Sequence, residues 1–301
     1  MTKVRAWVSA FRLRTLPLAL STIIMGGFLA QFYGMFKWSV FLLAIITTLF
    51  LQVLSNLAND YGDTVNGADH KGRQGPQRMV QSGLISQQSM RRAIVICASL
   101  ALISGILLIY FSFSQAASIS GLVFFLLGVA SIVAALKYTM GKNPYGYQGR
   151  GDLFVLLFFG LVGVGGSFYL HGQMFHWDVL YPALAIGFLS TGVLNLNNMR
   201  DRQSDKEAGK NTLVVKNGIV WAKRYHYFLV IGALLLSTVF VVTNGYHMSM
   251  FMFLVSTPLF IRHLWVVNKA VIADDFDPEL KKLAITSLVY VLLFGTGLIL
   301  T

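Results

Sequence analysis

Residues 40–63 read VFLLAIITTLFLQVLSNLANDYGD, an apolar run that ends in two aspartates. Residues 40–57 carry no charged side chain, and about 20 predominantly apolar residues are enough for a helix to cross the hydrocarbon core of a bilayer. Because lipid offers no hydrogen-bond partner, the backbone of such a segment must bond within a helix. The sequence therefore predicts a transmembrane helix over 40–57 with polar groups at its end.

Eight further segments have the same apolar character. They are 16–33, 93–111, 119–135, 153–170, 179–196, 225–242, 249–265 and 284–300. Only 12% of the 301 residues are charged, whereas a soluble domain carries roughly 25%, so a soluble enzyme is excluded. The single cysteine, Cys97, excludes a disulfide framework and a cysteine-based zinc site. We predict an all-α polytopic membrane protein of about nine transmembrane helices.

The Lys and Arg residues alternate between the two sides of the predicted membrane. Five connections hold 22 of the 24: 1–15, 58–92, 136–152, 197–224 and 266–283. The positive-inside rule then predicts a cytoplasmic N-terminus and an outside C-terminus. The net charge of +12 thus reflects topology, and we expect no nucleic-acid partner. Eleven of the twelve acidic residues fall on the same side, so we expect a central cavity that opens to the cytoplasm.

The second and sixth spans each end in Asn and Asp residues at helical spacing. The first set is Asn56, Asn59, Asp60 and Asp63, and the second is Asn197, Asp201 and Asp205. Residues three or four apart share a helix face. In both sets an Asn precedes an Asp by four residues, and an even number of helices separates the two ends. The chain therefore contains an internal pseudo-repeat of a site, with motifs at 56–78 and 197–213.

Carboxylates that converge in this way at a membrane boundary need neutralisation. Two facing clusters suit Mg²⁺ bridged by a phosphate-bearing ligand, since Mg²⁺ binds through a few carboxylates and substrate oxygens. The predicted metal ligands are Asp60, Asp63, Asp201 and Asp205, with the amide oxygens of Asn56 and Asn197. The alternative is a set of helix caps and ordinary salt bridges with Arg200, Arg202 and Lys206. The duplication favours the metal site.

The loops that follow the motifs are basic and rich in glycine. Candidate diphosphate contacts in the loops on this side are Arg73, Arg78, Lys142 and Lys210, and Asn56, Asn59 and Asn197 can also bind substrate. Lys and Arg beside a turn can bind phosphate oxygens, although each could equally serve as an orientation signal. The third long loop, 137–152, holds Tyr138 and Asp152 as candidate walls for an aromatic acceptor, whereas Tyr145 and Tyr147 fit an interfacial tyrosine belt.

Four motifs together resemble the UbiA superfamily of intramembrane prenyltransferases, over nearly the whole chain. They are NLANDYGD at 56–63, GPQR at 75–78, YGYQGRGD at 145–152 and NNMRDRQSD at 197–205. The superfamily often has an acid seven residues after the position of Asp60, where this chain has Gly67 and the next acid is Asp69. The spacing resembles the branch that acts on 1,4-dihydroxy-2-naphthoate rather than the 4-hydroxybenzoate branch.

The resemblance implies a single transmembrane prenyltransferase domain over 1–301 in a bacterial inner membrane. Its implied reaction transfers a polyprenyl chain from polyprenyl diphosphate to 1,4-dihydroxy-2-naphthoate, with loss of carboxylate and diphosphate, to give demethylmenaquinone. Mg²⁺ would be the cofactor, and the bilayer would hold the isoprenoid. In this interpretation Arg14 binds the acceptor carboxylate, and Asp152 or Tyr138 assists deprotonation.

Two alternatives to this reaction stay open. The acceptor could be another aromatic compound, such as 4-hydroxybenzoate, homogentisate or a tetrapyrrole. The chain could also be a secondary transporter, because duplicated polar sites occur in those proteins as well. A transporter would place its site near the middle of the bilayer, whereas these acids lie at the ends of spans.

Overall fold

The structure is a computed structural model that describes residues 2–68, 77–113 and 118–301. These residues form helices without any strand, and nine segments are long and apolar enough to cross a membrane. The segments are Lys3–Phe32, Trp38–Val65, Gln87–Ser112, Ile119–Lys137, Gly151–Gly172, Trp177–Arg200, Leu213–Thr243, Met248–Lys269 and Ala273–Ile299. Each predicted span coincides with one of them, so the predicted all-α membrane fold is confirmed.

The described residues contain twelve α-helices, eleven within these spans and one, Arg202–Glu207, between the sixth and seventh spans. They are α1 (Lys3–Phe11), α2 (Leu16–Phe32), α3 (Trp38–Val65), α4 (Gln87–Ser112), α5 (Ile119–Lys137), α6 (Gly151–Val155), α7 (Ser167–Gly172), α8 (Leu180–Arg200), α9 (Arg202–Glu207), α10 (Leu213–Thr243), α11 (Thr257–Lys269) and α12 (Ala273–Ile299). Tighter 3₁₀ turns cover Leu13–Thr15, Tyr145–Gln148, Trp177–Val179 and Met248–Ser256. Wider π-helical turns over Leu156–Gly166 join α6 to α7.

The sixth span lies at the centre of the bundle. Its residues Ala185, Ile186 and Leu189 in α8 are completely buried, and the helix packs against α10, α12 and the Leu156–Gly166 segment. By contrast α4 and α5 expose large apolar side chains such as Ile103 and Leu122. Exposed aliphatic side chains in such numbers are what a lipid-facing surface requires, because hydrocarbon solvates them as well as a protein core does.

The end of α3 packs closely on the chain that follows α5. A Cβ atom on Gly62 would lie 2.5 Å from the Thr139 hydroxyl oxygen and 2.8 Å from its backbone, so only glycine fits. The Thr139 hydroxyl donates to the carbonyl of Ala58 at 3.0 Å, and the Asn66 amide donates to the carbonyl of Thr139 at 2.6 Å. These contacts fix the first motif against the third loop.

A buried polar network joins the last three helices. The Nε2 atoms of His226 and His263 lie 2.9 Å apart, and His263 Nδ1 lies 2.6 Å from Glu279. Lys282 donates to the second oxygen of Glu279 at 2.6 Å. On the opposite side of the bundle, Asp178 accepts hydrogen bonds from Tyr33 and Asn244. Both networks pair polar side chains between neighbouring helices and hold those helices together.

Three local features were not predicted from the sequence. The first span begins with an additional helix, α1, and Arg12 takes a left-handed conformation with φ 49° between α1 and the turn before α2. The fifth span unwinds into π-helical turns. Helix α10 begins at Leu213 rather than near 225, and it breaks at Gly218, where φ is 83° and glycine adopts the conformation at low cost.

Candidate functional site

A cavity of about 380 Å³ lies among α2, α3, α4, α5, α8, α12 and the fifth span. Most of its wall is apolar, including Leu18, Ile23, Leu51, Leu108, Phe124, Phe154 and Phe158. Its polar lining groups at the ends of α3 and α8 and in the adjoining loops are Asn56, Asn59, Asp63, Arg78, Asn197 and Lys210. A cavity with a long apolar wall and a charged end suits an amphiphilic ligand with an anionic head group.

In the first motif the carboxylate that faces the cavity is Asp63. Arg78 donates to Asp63 Oδ2 at 3.0 Å, and the phenol of Tyr147 donates to Oδ1 at 3.0 Å. The side chains of Arg78 and Asp63 are both buried, so solvent screens this ion pair weakly. Two loops thus contribute donors to one carboxylate at the charged end of the cavity.

Asp60 plays a different part from the one predicted. Its Oδ2 accepts the backbone N–H of Met79 at 2.9 Å, and its Oδ1 accepts that of Val80 at 3.0 Å. Asp60 is buried and does not line the cavity. Its position argues against the predicted metal contact and gives the carboxylate the role of fixing the turn that begins at Arg78.

The two asparagines of the first motif also divide their roles. Asn56 donates to the carbonyl of Phe11 at 2.9 Å and to the hydroxyl of Thr15 at 3.0 Å, which anchors the break between α1 and α2. The side-chain oxygen of Asn59 accepts from the Thr139 hydroxyl at 3.2 Å and lies in the cavity wall. Asn59 therefore lies beside Asp63, four residues along the same helix face.

The second motif centres on Arg200, which the sequence interpretation treated only as a possible salt-bridge partner. Its Nε and Nη2 donate to the two oxygens of Asp201 at 2.7 and 2.8 Å, and Nη2 also donates to Asn197 Oδ1 at 2.8 Å. Nη1 donates to Asp277 at 2.5 Å. The salt-bridge alternative is therefore realised for Arg200 and Asp201, with a second carboxylate, Asp277 of the ninth span, added.

Asp205 and Lys210 face each other across the turn after α9. Lys210 Nζ lies 3.5 Å from Asp205 Oδ1 and 5.4 Å from the centre of the Tyr147 ring. Burial raises the pKa of the Asp205 carboxyl to about 6, although Lys210 opposes this rise. Burial alone would lower the pKa of Lys210, but Asp63 and Asp205 outweigh it and hold that pKa well above its ordinary value. The two motifs therefore meet around one ammonium group.

One buried oxygen at this meeting point bears directly on metal binding. Within the part of the chain that the structure describes, Asp205 Oδ2 has no hydrogen-bond donor. In those same residues no group of three or more His, Cys, Asp or Glu side chains is arranged to hold a metal ion by itself. Oxygen donors on two facing helix ends fit Mg²⁺, which takes one or two carboxylates and completes its shell with phosphate oxygens.

The structure brings together some of the predicted basic residues and separates others. Arg78 and Lys210 line the cavity beside carboxylates. Lys142 is exposed and lies outside the cavity wall, which argues against the predicted diphosphate contact. Arg14 lines the cavity, but its Nη1 lies 3.3 Å from the carboxylate of Asp277. Arg73 falls outside the described residues.

The two predicted acceptor residues of the third loop differ in position. Tyr138 lines the cavity, and burial raises the pKa of its phenol, so the group stays protonated near neutral pH and acts as a hydrogen-bond donor. Asp152 is buried behind the wall and faces Tyr225, a position that argues against proton transfer to a ligand in the cavity. Tyr145 and Tyr147, predicted as an interfacial belt, belong to the site: Tyr145 lines the cavity and Tyr147 donates to Asp63.

Sequence reasoning missed two residues on the ninth span. Asp277 bonds both Arg14 and Arg200, and Lys281 lines the cavity one helical turn further along α12. Their spacing of four residues places both on one helix face, a signal that the sequence does contain. Nothing in the sequence, however, indicates that this face meets the ends of α2 and α8.

Comparison with known proteins places the chain among prenyltransferases. The sequence profile of the UbiA prenyltransferase family matches residues 19–292. The chain is 42% identical over 301 residues to the 1,4-dihydroxy-2-naphthoate octaprenyltransferase of Escherichia coli (strain K12), which covers 100% of this chain and 97% of that protein. It is 38% identical over 301 residues to the protein of the same name from Haemophilus influenzae, with 99% and 97% covered.

Solved structures share the fold. A UbiA homolog from Aeropyrum pernix K1 aligns with a TM-score of 0.70 at 14% identity, over 96% of this chain and 98% of that chain. A UbiA homolog from Archaeoglobus fulgidus bound to DMAPP and Mg²⁺ aligns with a TM-score of 0.62 at 16% identity, over 96% and 99%. Since the family profile and full-length relatives both match, the chain belongs to the UbiA prenyltransferase family.

Proposed function

We propose that this protein transfers a polyprenyl chain from polyprenyl diphosphate to 1,4-dihydroxy-2-naphthoate, with loss of CO₂ and diphosphate, to form demethylmenaquinol, the reduced form of demethylmenaquinone. The observation that carries the proposal is the charged end of the cavity, where Asp63, Asp205 and Lys210 meet above a long apolar wall. The shared identity of 42% with a relative named for this reaction supports the choice of acceptor.

The residues that hold the diphosphate end come from both motifs. Asn59 and Asp63 on α3, with Asn197, Asp201 and Asp205 around the end of α8, would supply the oxygen donors for Mg²⁺. When bound, Mg²⁺ neutralises the diphosphate as it leaves the allylic carbon. We assign Lys210 and Arg78, which line the cavity, to the phosphate oxygens that the cation leaves free.

The apolar wall holds the isoprenoid and keeps water from the reacting carbon. Phe124, Phe154 and Phe158 lie along the cavity, and Leu102 and Ile106 of α4 line it while they are also exposed on the bundle surface. An isoprenoid can therefore enter from lipid and remain partly within it. Tyr138 donates a hydrogen bond to the acceptor from the same wall, and the acceptor ring then attacks the allylic carbon.

The acceptor carboxylate needs a cation that is not already fully paired. Arg14 lines the cavity but shares Asp277 with Arg200, so its charge is largely compensated. Lys281 lines the cavity on the same face of α12, and we assign to it the acceptor carboxylate together with Arg14. Lys281→Ala should raise the KM for the naphthoate and leave the KM for polyprenyl diphosphate unchanged. The same measurement on Arg14→Ala shows whether both residues bind the acceptor carboxylate.

We further propose that the charged end of the cavity faces the cytoplasm of a bacterial inner membrane. The distribution of Lys and Arg supports a cytoplasmic N-terminus and an outside C-terminus. A Thr301→Cys substitution in a Cys97→Ser background tests this orientation. A membrane-impermeant thiol reagent should label it in intact spheroplasts, and labelling only after lysis would contradict the topology.

The central experiment uses purified protein with Mg²⁺, a radiolabelled polyprenyl diphosphate and three acceptors: 1,4-dihydroxy-2-naphthoate, 4-hydroxybenzoate and homogentisate. We expect prenylated, decarboxylated product with the naphthoate, loss of product when EDTA removes the metal, and loss with Asp63→Asn. Asp274→Asn, an exposed acid on α12, is the matched control and should behave as wild type. Product with another acceptor only, or solute transport without product, would overturn the proposal.

A further inference from the structure

Asp277 is a carboxylate of the ninth span that lies between two arginines. Its side chain is 35% exposed and belongs to α12, immediately before Pro278. Arg200 Nη1 donates to Asp277 Oδ1 at 2.5 Å, and Arg14 Nη1 lies 3.3 Å from both of its oxygens. It therefore connects the first, sixth and ninth spans at the charged end of the cavity.

Arg200, which binds Asp277, also occupies the oxygen atoms that a metal ion at the second motif would use. The Arg200 guanidinium donates to both oxygens of Asp201 and to the amide oxygen of Asn197, at 2.7 to 2.8 Å. The Arg200 side chain is only 2% exposed. A cation that approaches Asp201 and Asn197 thus meets the positive charge of Arg200, and that arginine cannot turn out into water.

A buried cation that loses its only partner destabilises a protein strongly. If Asp201 were the only carboxylate near Arg200, transfer of Asp201 to Mg²⁺ would leave the guanidinium uncompensated. Asp277 changes this balance, because Nη1 keeps a carboxylate partner on the side away from Asp201.

We propose that Asp277 is a positioning residue that sets the metal affinity of the second motif by holding Arg200 as the metal engages Asp201 and Asn197. This inference rests on the proposed function, since it assumes that the second motif binds the metal. Asp277 itself does not coordinate: it acts through Arg200. The ligand class is a divalent cation, alone or with a diphosphate.

The test measures Mn²⁺ binding by electron paramagnetic resonance in purified full-length protein, with Mn²⁺ alone and with Mn²⁺ plus inorganic diphosphate. Asp277→Asn keeps the size of the side chain and removes its charge. We expect it to raise the Kd for Mn²⁺ about tenfold, the size of effect found between directly contacting groups. Asp277→Glu should restore part of the affinity, and Asp274→Asn should leave it unchanged.

A second background shows whether Asp277 acts through Arg200. In an Arg200→Gln protein the competing guanidinium is absent, so addition of Asp277→Asn should leave the Kd for Mn²⁺ unchanged within twofold. An equal rise in both backgrounds would mean that Asp277 acts by its own charge, which overturns the inference. No rise in the wild-type background also overturns it.

Stability measurements keep the outcome interpretable. Size-exclusion profiles and metal-free melting temperatures identify any variant that fails to fold, and Asp277→Glu then replaces Asp277→Asn, with an expected partial loss of affinity. A wild-type protein that binds no Mn²⁺ under either condition would contradict the proposed function itself. Wild-type binding with an unaffected Asp277 variant contradicts only the positioning role.

Discussion

The ends of α3 and α8 have similar sequences, but their side chains make different contacts. In the first motif Asp60 holds the backbone of Met79 and Val80, and only Asp63 faces the cavity. In the second motif α8 ends at Arg200, which binds both oxygens of Asp201, and Asp205 lies beside Lys210 of the cavity wall. The comparable pairs are Asn59 with Asp63 and Asn197 with Asp201, because each Asn lines the cavity and precedes an Asp by four residues.

The residues before Asp63 and Asp201 show why the two helix ends differ. The first motif has Gly62, which allows α3 to touch Thr139. The second has Arg200, which binds the adjacent Asp201 and reaches Asp277. One motif therefore receives its cation from a distant loop through Arg78, whereas the other carries a cation within itself. The comparison teaches that helical spacing identifies a polar face but not which groups on it are free to bind a ligand.

The largest expected effect belongs to Asp63 and Asp201, the aspartates of the two comparable pairs. Asp63→Asn and Asp201→Asn should each reduce kcat/KM by roughly 10²-fold or more, because each removes a charge that stabilises the leaving diphosphate through the metal. Product formation per folded protein measures this loss, and Asp274→Asn serves as the control. If either variant keeps activity within roughly threefold of wild type, the two motifs do not contribute equally to catalysis.

The next effect tests the scaffold role of Asp60. Asp60→Ala leaves two buried N–H groups without acceptors, and we expect it to lower the unfolding free energy by about 2–3 kcal/mol. The loss should appear as a lower melting temperature in metal-free detergent solution, with Asp60→Asn intermediate because it keeps one acceptor oxygen. A metal-free melting temperature equal to that of wild type would return Asp60 to the list of metal ligands.

A smaller effect tests the close contact of α3 with the third loop. Gly62→Ala places a Cβ against the backbone of Thr139, and the required shift should cost about 1–2 kcal/mol of stability. The matched control is Gly128→Ala on α5, where a Cβ would meet nothing within 4 Å. Equal melting temperatures for the two variants would show that the first motif does not depend on this packing.

The smallest effect tests the donors of the first motif. Tyr147→Phe removes the phenol that donates to Asp63, and loss of one such bond should raise the KM for polyprenyl diphosphate by roughly threefold to tenfold. Tyr145→Phe is the control, because its phenol donates to the carbonyl of Ala134 instead. Equal changes in the two variants would assign the effect to the loop as a whole rather than to Asp63.

The spans could be predicted because the bilayer imposes both length and composition on them. The unwinding at Leu156–Gly166 and the break at Gly218 could not, since both come from packing between helices. In the site, residues one turn apart on α3 and α8 could be identified by spacing alone. Asp60 binds backbone groups 19 and 20 residues away, and Asp277 binds Arg200 from 77 residues away. Local sequence pattern could therefore predict neither contact.

The carboxylate shared by Arg14 and Arg200 also bears on how the protein is made. The first and sixth spans are synthesised before the ninth. Arg14 and Arg200 therefore cannot pair with Asp277 until synthesis is almost complete. Until then the buried guanidinium of Arg200 lacks one of its two anionic partners at the membrane boundary, a state that costs free energy. A chain cut short before α12 therefore leaves Arg14 without this carboxylate and Arg200 with Asp201 alone, and we expect its first and sixth spans to pack less stably.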